Sequence, residues 1–130
     1  MTPEIEWIGV EVTLAYHRRQ IAEYGGSDGV RDLGLLESAL ARPQNLHAYG
    51  FGVDIAALAA AYAFGVARNH AFIDGNKRTA LVVATAFLDI NGYELVADRA
   101  DIFDHVLALA DNRIDEAALA DWFRRNTAKY

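Results

Sequence analysis

Apolar residues recur at helical spacing along most of the chain. In residues 10–24, apolar side chains and His17 repeat every three or four positions, which predicts an amphipathic helix. Residues 54–69, "DIAALAAAYAFGVARN", are dominated by alanine, and residues 79–92, "TALVVATAFLDING", are apolar as well. Small side chains let neighbouring helices approach closely. We therefore expect the alanine-rich helix, with Asp54 as its N-terminal cap, at the centre of the fold.

Glycine and proline mark the boundaries between these segments. The sequence "GGSDGVRD" at residues 25–32 predicts a loop. Residues 33–42 predict a short helix that ends before Pro43, because the residue before a proline disfavours helical backbone. We expect residues 43–53 to form a long irregular segment whose aromatic side chains pack on the fold. Gly92 predicts a left-handed cap at the end of the apolar helix before it.

The remainder of the chain continues the helical pattern. Acidic residues begin two further helices, one at Asp98 that runs through Ala110 and one at Asp115. Residues 93–98 are predicted to be extended, either as a short β-like arm or as a crossing segment. The pattern therefore predicts the all-α class, as a compact single domain of about six helices spanning residues 1–130.

Composition and charge narrow the function classes. The chain of 130 residues has no cysteine, which excludes disulfides and thiolate metal sites. The formal net charge of −6 argues against broad nucleic-acid binding, which needs a basic face. The longest apolar stretch, residues 56–67, is too short to span a membrane, and the acidic start "MTPEIEWIGVEV" contains no basic leader. We therefore expect a cytoplasmic protein with no membrane partner.

The segment "HAFIDGNKR", His70 to Arg78, places polar and charged residues between two apolar helices. Gly75 or Asn76 begins the second of these helices, and Lys77 follows in its first turn. A helix N-terminus carries partial positive charge, so each cation there costs about 0.3–1 kcal/mol unless an anion binds. Free N–H groups, a lysine and an arginine together form a good phosphate site. The alternative is that both cations point into solvent or pair with acidic residues elsewhere.

His70 and Asp74 belong to the loop that leads into this helix. A histidine accepts a proton from a hydroxyl near neutral pH, and an aspartate suits the Mg²⁺ that accompanies nucleotide phosphates. Phe72 and Ile73 are expected to hold the loop in the core. Each residue alone has an ordinary structural explanation, but their combination within nine residues favours phosphoryl or nucleotidyl transfer.

The motif resembles the signature of the Fic/Doc superfamily, and its lysine resembles the Doc branch. The similarity extends to "HRRQIAEYGGSDGVRDLGLLESALARPQN" (17–45) and "FLDINGYEL" (87–95). The resemblance implies a small helical bundle in which His70 is the base that activates a target hydroxyl. It implies that Asp74 holds the metal or orients the incoming group. The other roles it implies are phosphate binding by Asn76, Lys77 and Arg78, a turn at Gly75, loop anchoring by Phe72 and an accessory role for Arg68.

Some positions depart from the usual motif or distinguish its branches. Ala71 stands where proline is usual, which removes no chemistry. Adenylylating Fic enzymes carry glycine at the position of Lys77 and a second arginine at the position of Leu81. The lysine and the leucine therefore imply the Doc-type reaction, a Ser/Thr protein kinase activity that uses the γ-phosphate of ATP, with Mg²⁺ as cofactor.

The resemblance also implies partners. Doc-type proteins are toxins of type II toxin–antitoxin modules, and elongation factor Tu is the implied target. The chain has no Ser/Thr-x-x-x-Glu-Gly/Asn inhibitory motif, so we expect inhibition by a separate antitoxin. A disordered antitoxin segment would fold into a helix in a groove among the N-terminal helix, residues 25–32 and the central helix. Nucleic-acid contact is expected only through the antitoxin.

Two alternative functions stay open at this point. One is a Fic-type nucleotidyl transferase, and the other is a catalytically idle helical module that only binds an antitoxin. Among the other histidines, His17 is expected on the helix surface or partly packed, and His105 is expected to be an ordinary helix residue. For His47 and Tyr49, packing is favoured over a role in a target-binding flap.

Overall fold

A computed structural model describes residues 4–130, so the first three residues of the acidic N-terminal segment lie outside the described chain. The helices are α1 (Val10–Tyr24), α2 (Leu33–Tyr49), α3 (Ile55–Arg68), α4 (Asn76–Ile90), α5 (Arg99–Ala110) and α6 (Glu116–Arg125), and the strands are β1 (Tyr93–Leu95) and β2 (Thr127–Lys129). Within residues 4–130 the architecture is thus six helices and one two-stranded sheet, which confirms the all-α class.

The alanine-rich helix α3 lies at the centre, as its composition predicts. It packs against α2, α4, α5 and α6, and most of its alanines are buried. Gly65 lies so close to α2 that an added Cβ would sit 3.0 Å from the Cα of Ala39. The predicted cap is confirmed, because the Asp54 side chain accepts a hydrogen bond of 3.0 Å from the Ala57 N–H. Small residues on both helices therefore permit this close approach of α3 to α2.

Helix α2 is longer than the sequence predicts. The expectation that it ends before Pro43 is wrong, because the helix continues to Tyr49. Pro43 is buried one turn beyond Ala39 and Leu40, on the same core-facing side. Burial of the proline ring on this face offsets the hydrogen bond that a proline cannot donate. The irregular connection between α2 and α3 is correspondingly short.

The aromatic side chains at this connection only partly follow the prediction that they pack. His47 is exposed but makes a packing contact, because its ring lies 5.7 Å from the ring of Trp7 in an edge-on arrangement. Tyr49 is 89% exposed and Phe51 is fully exposed, so the expectation is wrong for both. Residues three and four positions apart share a helix face, so the face that carries Pro43 continues at Leu46 and His47. Tyr49 lies off this face.

The two short strands join the middle of the chain to its C-terminal segment. Gly92 has a φ of 91°, which confirms the left-handed cap after α4. β1 then pairs antiparallel with β2, with Glu94 opposite Ala128. The extended conformation is therefore confirmed at the start of residues 93–98. The pairing with β2 was not predicted, because the sequence pattern did not indicate a strand there.

Helix α6 is fastened to the start of α3 by an ion pair. The Nε atom of Arg124 lies 2.6 Å from Asp54 Oδ2, whereas Arg125 pairs with Asp121 on its own helix. The hydrogen bond from Arg124 holds the pKa of the Asp54 carboxyl below its ordinary value of 3.8. Asp54 thus joins two helices besides capping one. Residues 4–130 contain no helix that is both long and apolar enough to cross a membrane.

Candidate active site

The N-terminus of α4 has free hydrogen-bond donors. The helix begins at Asn76, one of the two starts that the sequence predicts, and Gly75 precedes it with left-handed backbone at φ 78°. The backbone N–H groups of Asn76, Lys77 and Arg78 have no acceptor within residues 4–130. As donors of the first turn they carry the partial positive charge of the helix. This end of α4 therefore has the geometry of an anion-binding site.

The side-chain amide of Asn76 binds back to the loop before the helix. Its Oδ1 accepts from the Phe72 N–H at 3.0 Å, and its Nδ2 donates to the Phe72 carbonyl at 3.0 Å. Phe72 is only 1% exposed, the position expected of a loop anchor. Because the amide is occupied in this way, it is the backbone N–H of Asn76 that is free to bind a phosphate.

His70 is exposed at the start of the loop and has an unusual backbone. Its φ is 51°, in the left-handed region where a non-glycine residue costs about 1 kcal/mol or more. Arg31 stabilises this conformation, because its Nε donates to the His70 carbonyl at 2.8 Å. The N–H groups of Arg31 and Asp32 also donate to the Ala71 carbonyl, at 2.7 and 3.0 Å. The loop between α1 and α2 therefore fixes the position of His70.

Ile73 does not enter the core, so the expectation that it anchors the loop there is wrong. The side chain is 58% exposed and covers Gly29, where an added Cβ would lie 2.9 Å from Ile73 Cδ1. The Ile73 N–H donates to the Gly29 carbonyl at 3.1 Å, and Val30 pairs with Phe72 in an isolated antiparallel bridge. Alternation along this extended segment turns Phe72 inward and Ile73 outward.

The carboxylate of Asp74 is held by two backbone donors. Its Oδ1 accepts from the Gly75 N–H at 3.0 Å, and its Oδ2 accepts from the Ser27 N–H at 3.3 Å. Gly26 has a φ of 113°, which favours glycine, and an added Cβ there would lie 2.8 Å from Asp74 Oδ2 and displace this carboxylate. Residues 25–32 thus orient Asp74 as well as His70.

His17 is buried beneath the loop, which corrects the expectation that it lies at the helix surface or is only partly packed. The residue is 2% exposed, and its ring stacks on that of Phe72 with centroids 3.8 Å apart. Its Nε2 lies 2.8 Å from the Asp74 carbonyl oxygen. The position of His17 among apolar residues of α1 indicated a buried face, but its polar partner lies 57 residues away in sequence.

The cations of the motif have different surroundings. Lys77 Nζ lies 3.5 Å from Asp111 Oδ1, with both side chains 44% exposed, so the alternative of pairing with an acidic residue holds in part for Lys77. Such an exposed pair is weak, which leaves the ammonium group available to a phosphate. The Arg78 guanidinium lies over the Tyr24 ring, 4.3 Å from its centroid. Arg68 contacts the side-chain oxygen of Asn112 instead.

Most of the predicted site residues line one cleft of about 380 Å³. The exceptions are Arg68 and Phe72, and Phe72 is buried beneath the loop. The lining residues are His70, Ile73, Asp74, Gly75, Asn76, Lys77, Arg78 and Phe103. Through Arg78 and Phe103 the cleft adjoins a groove between α1, α4 and α5, with volumes of about 350 and 640 Å³ in its two halves. Leu81 and Arg99 line both halves of this groove.

Asp74 provides the carboxylate that could hold a metal ion at this cleft. No group of three or more His, Asp or Glu side chains within residues 4–130 is placed to bind a metal ion. Mg²⁺ needs less than that, because one or two carboxylates and the phosphates of a nucleotide complete its shell. A single fixed carboxylate beside a phosphate site therefore fits Mg²⁺ that binds together with a nucleotide.

Sequence reasoning missed the residues outside the motif that hold it in place. Arg31 and the Ser27 N–H come from the loop between α1 and α2, and His17 comes from α1. The glycines of residues 25–32 signalled a turn but not a contact with the motif. The loop conformation depends on these distant partners.

Comparisons with known proteins agree with this site. Residues 7–88 match the model of the Fic/DOC family. The chain is 46% identical to Toxin Doc of Mycolicibacterium smegmatis over 103 residues, which cover 73% of this chain and 77% of that protein. It is 37% identical to Protein kinase doc of Escherichia phage P1 over 118 residues, which cover 91% of this chain and 93% of that protein. The chain therefore belongs to the Fic/DOC family.

Proposed function

We propose that this chain is a toxin that transfers the γ-phosphate of ATP to a Ser/Thr hydroxyl of a translation factor. The names of the relatives, Toxin Doc and Protein kinase doc, support a toxin and a kinase. Elongation factor Tu is the target that the family resemblance implies. The observation that carries the proposal is the placement of His70, the free N–H groups of α4 and Lys77 around one cleft.

In the proposed reaction, His70 accepts the proton of the target hydroxyl as the hydroxyl oxygen bonds to the γ-phosphorus. The bond between the γ-phosphorus and the bridging oxygen breaks, and ADP leaves with that electron pair. The N–H groups at the start of α4, Lys77 and Arg78 stabilise the negative charge on the phosphates. Asp74 would hold Mg²⁺, which neutralises phosphate charge when it is bound.

The residues along α4 favour γ-phosphate transfer over adenylyl transfer. Lys77 fills the position where glycine would leave room for the phosphates of a nucleotide lying in the adenylylating direction. Leu81 lines the groove beside the cleft and offers no charge to an α-phosphate. Arg99 lines the same groove from α5, and this observation keeps adenylyl transfer as the second candidate.

The test uses the purified chain, elongation factor Tu and ATP labelled in separate reactions on the α- and γ-phosphates. The proposal predicts that label enters the target from the γ-position only. Label from the α-position only would establish adenylyl transfer instead, and label from neither position would support an idle module or another target. A His70→Ala reaction in parallel controls for contaminating kinases.

We also propose that an antitoxin segment inhibits the enzyme by binding in the groove beside the cleft. We expected the antitoxin segment to bind among the N-terminal helix, residues 25–32 and the central helix. The groove proposed here lies between α1, α4 and α5, and neither α3 nor residues 25–32 line it. An occupant of this groove would extend to Arg78 and Phe103, which also line the candidate active site, and would thereby compete with the nucleotide.

Co-expression tests this part of the proposal. The chain alone should arrest growth, and expression with the adjacent small open reading frame should restore it. Val82→Glu places a charge in the groove and should weaken this rescue while growth arrest persists. Equal rescue of the wild-type chain and the variant would place the antitoxin contact elsewhere.

A further inference from the structure

His17 is the only histidine among the buried residues of the described chain, and it lies directly beneath the loop that carries Asp74. Its ring is nearly parallel to that of Phe72, with an angle of 6° between the planes. Its Nε2 contacts the Asp74 carbonyl at 2.8 Å. An added Cβ at Gly75 would lie 3.6 Å from the same Nε2. The ring therefore contacts the loop at Phe72 and at the Asp74 carbonyl, and it faces the position where a side chain at Gly75 would lie, just before α4 begins.

The chemistry of the contact fixes which atom carries the proton. A carbonyl oxygen only accepts hydrogen bonds, so the Nε2 of His17 must carry a hydrogen and donate it. The other ring nitrogen, Nδ1, lies 3.7 Å from the exposed carboxylate of Asp28. Nε2 donates whether the ring is neutral or protonated, so the Asp74 carbonyl keeps its partner in both states.

The Asp74 carbonyl lies close to the groups that form the candidate active site. The side-chain carboxylate of the same residue accepts hydrogen bonds from the Ser27 and Gly75 N–H groups. The next residue, Gly75, has left-handed backbone and precedes the free N–H groups of α4. A rotation of the peptide between Asp74 and Gly75 would therefore move the carboxylate and the first donor of α4 together.

We propose that His17 is a positioning residue, which sets the orientation of the Asp74–Gly75 peptide through its Nε2–H donor. It does not touch substrate, and it acts through Asp74 and the start of α4. The inference rests on the proposed kinase function for its effect on rate, but its effect on loop geometry is independent of that function.

The test compares two substitutions that separate the ring from the donor. His17→Phe keeps an aromatic ring on Phe72 and removes the donor, whereas His17→Gln keeps an N–H donor at a similar reach and removes the ring. Hydrogen exchange of the hydrogen-bonded amides of Phe72, Ile73 and Gly75 reports the loop, and kcat and KM for γ-phosphate transfer report the reaction. Asp28→Asn is the matched control, because it changes the group near Nδ1 and leaves the Nε2 donor in place.

We expect His17→Phe to speed exchange of these amides by roughly tenfold or more, and to lower kcat by on the order of ten- to a hundredfold, as misplacement of reacting groups does. KM for the target protein should change by less than about twofold, because the docking surface is unaltered. His17→Gln should recover most of both losses, and Asp28→Asn should match the wild type.

Exchange in His17→Phe equal to that of the wild type would overturn the inference, and so would an equal effect of Asp28→Asn. If His17→Phe shows no cooperative thermal transition and is therefore unfolded, His17→Gln provides the test. Exchange of these amides as slow in His17→Gln as in the wild type supports the inference, and faster exchange contradicts it. Absence of γ-phosphate transfer by the wild-type chain would count against the proposed function alone, because the exchange comparison needs no substrate.

Discussion

The side-chain amide of Asn76 forms two hydrogen bonds with the backbone of Phe72, accepting from its N–H and donating to its carbonyl, each at 3.0 Å. This pair ties the first residue of α4 to the loop that begins at His70. It fixes the distance between the proposed base and the free N–H groups of the helix. A polar side chain in the motif therefore has a structural partner that its sequence position did not indicate.

Asn76→Ala should lower both stability and γ-phosphate transfer. The substitution leaves two partly buried backbone groups without partners, which costs about 1–3 kcal/mol in the free energy of unfolding. Transfer should fall on the order of a hundredfold, because the loop is no longer held against the helix. Chemical denaturation and initial rates measure the two effects.

Asn126→Ala is the matched control for this change. The amide of Asn126 donates to the Trp122 carbonyl at 2.8 Å, outside the cleft. It should lose stability with no change in transfer rate. If Asn76→Ala transferred the γ-phosphate at the wild-type rate, the contact with Phe72 would not position the site.

Lys77→Ala should raise the KM for ATP. A hydrogen bond to a charged group contributes about 1.5–3 kcal/mol, so we expect an increase of roughly tenfold or more. Asp111→Asn removes the carboxylate 3.5 Å from Lys77 Nζ and frees the ammonium group, so KM should stay the same or fall. An unchanged KM in Lys77→Ala would identify Lys77 as a surface partner of Asp111 with no role at the phosphates.

Tyr62→Phe should destabilise the fold without altering the chemistry. The Tyr62 hydroxyl accepts from the Ile8 N–H at 2.9 Å and donates to the Ile8 carbonyl at 3.3 Å. Phenylalanine leaves this buried N–H unsatisfied, which costs about 1–3 kcal/mol in the free energy of unfolding. Tyr49→Phe, at a side chain that is 89% exposed, should stay within about 0.5 kcal/mol of the wild type. Equal transitions of the two variants in denaturant would contradict this role of the hydroxyl.

The ion pair between Asp54 and Arg124 predicts a loss of stability in acid. The hydrogen bond from Arg124 lowers the pKa of Asp54 below 3.8 in the folded chain. The contact therefore stabilises the fold above pH 3.8, and this contribution disappears as the pH falls through the lower folded-state pKa. Both side chains are nearly half exposed, so we expect less than about 1 kcal/mol.

Urea denaturation at several pH values checks the sign of this effect. The difference in unfolding free energy between wild type and Asp54→Asn should shrink as the pH falls below about 4. Asparagine keeps an oxygen that can cap α3, so the comparison isolates the charge. A difference that does not vary with pH would show that Asp54 acts as a cap only.

Local signals predicted the elements whose cause is local. Asp54 caps α3 and Gly92 ends α4 as predicted, since each depends on neighbouring residues only. The predicted end of α2 before Pro43 was wrong, because the helix tolerates this proline through its burial on the core face, which the local sequence does not indicate. β2 was missed because a three-residue strand forms only where β1 offers it a partner.

The motif residues could be predicted from the sequence, but the contacts that orient them could not. The residue types from His70 to Arg78 indicate phosphate chemistry by themselves. Their geometry depends on Arg31 and Ser27, which reach the loop from the connection between α1 and α2. His17 lies on another helix, and only the fold brings it beneath Asp74.

The initial rate of γ-phosphate transfer to elongation factor Tu by the wild-type chain and by His70→Ala tests the central claim most directly. His70 is exposed, so its replacement should leave the thermal transition nearly unchanged. The account predicts that the wild type transfers the γ-phosphate and that His70→Ala is slower by at least about a hundredfold, the contribution of a general base. A His70→Ala chain that transfers the γ-phosphate within a few-fold of the wild-type rate would contradict it.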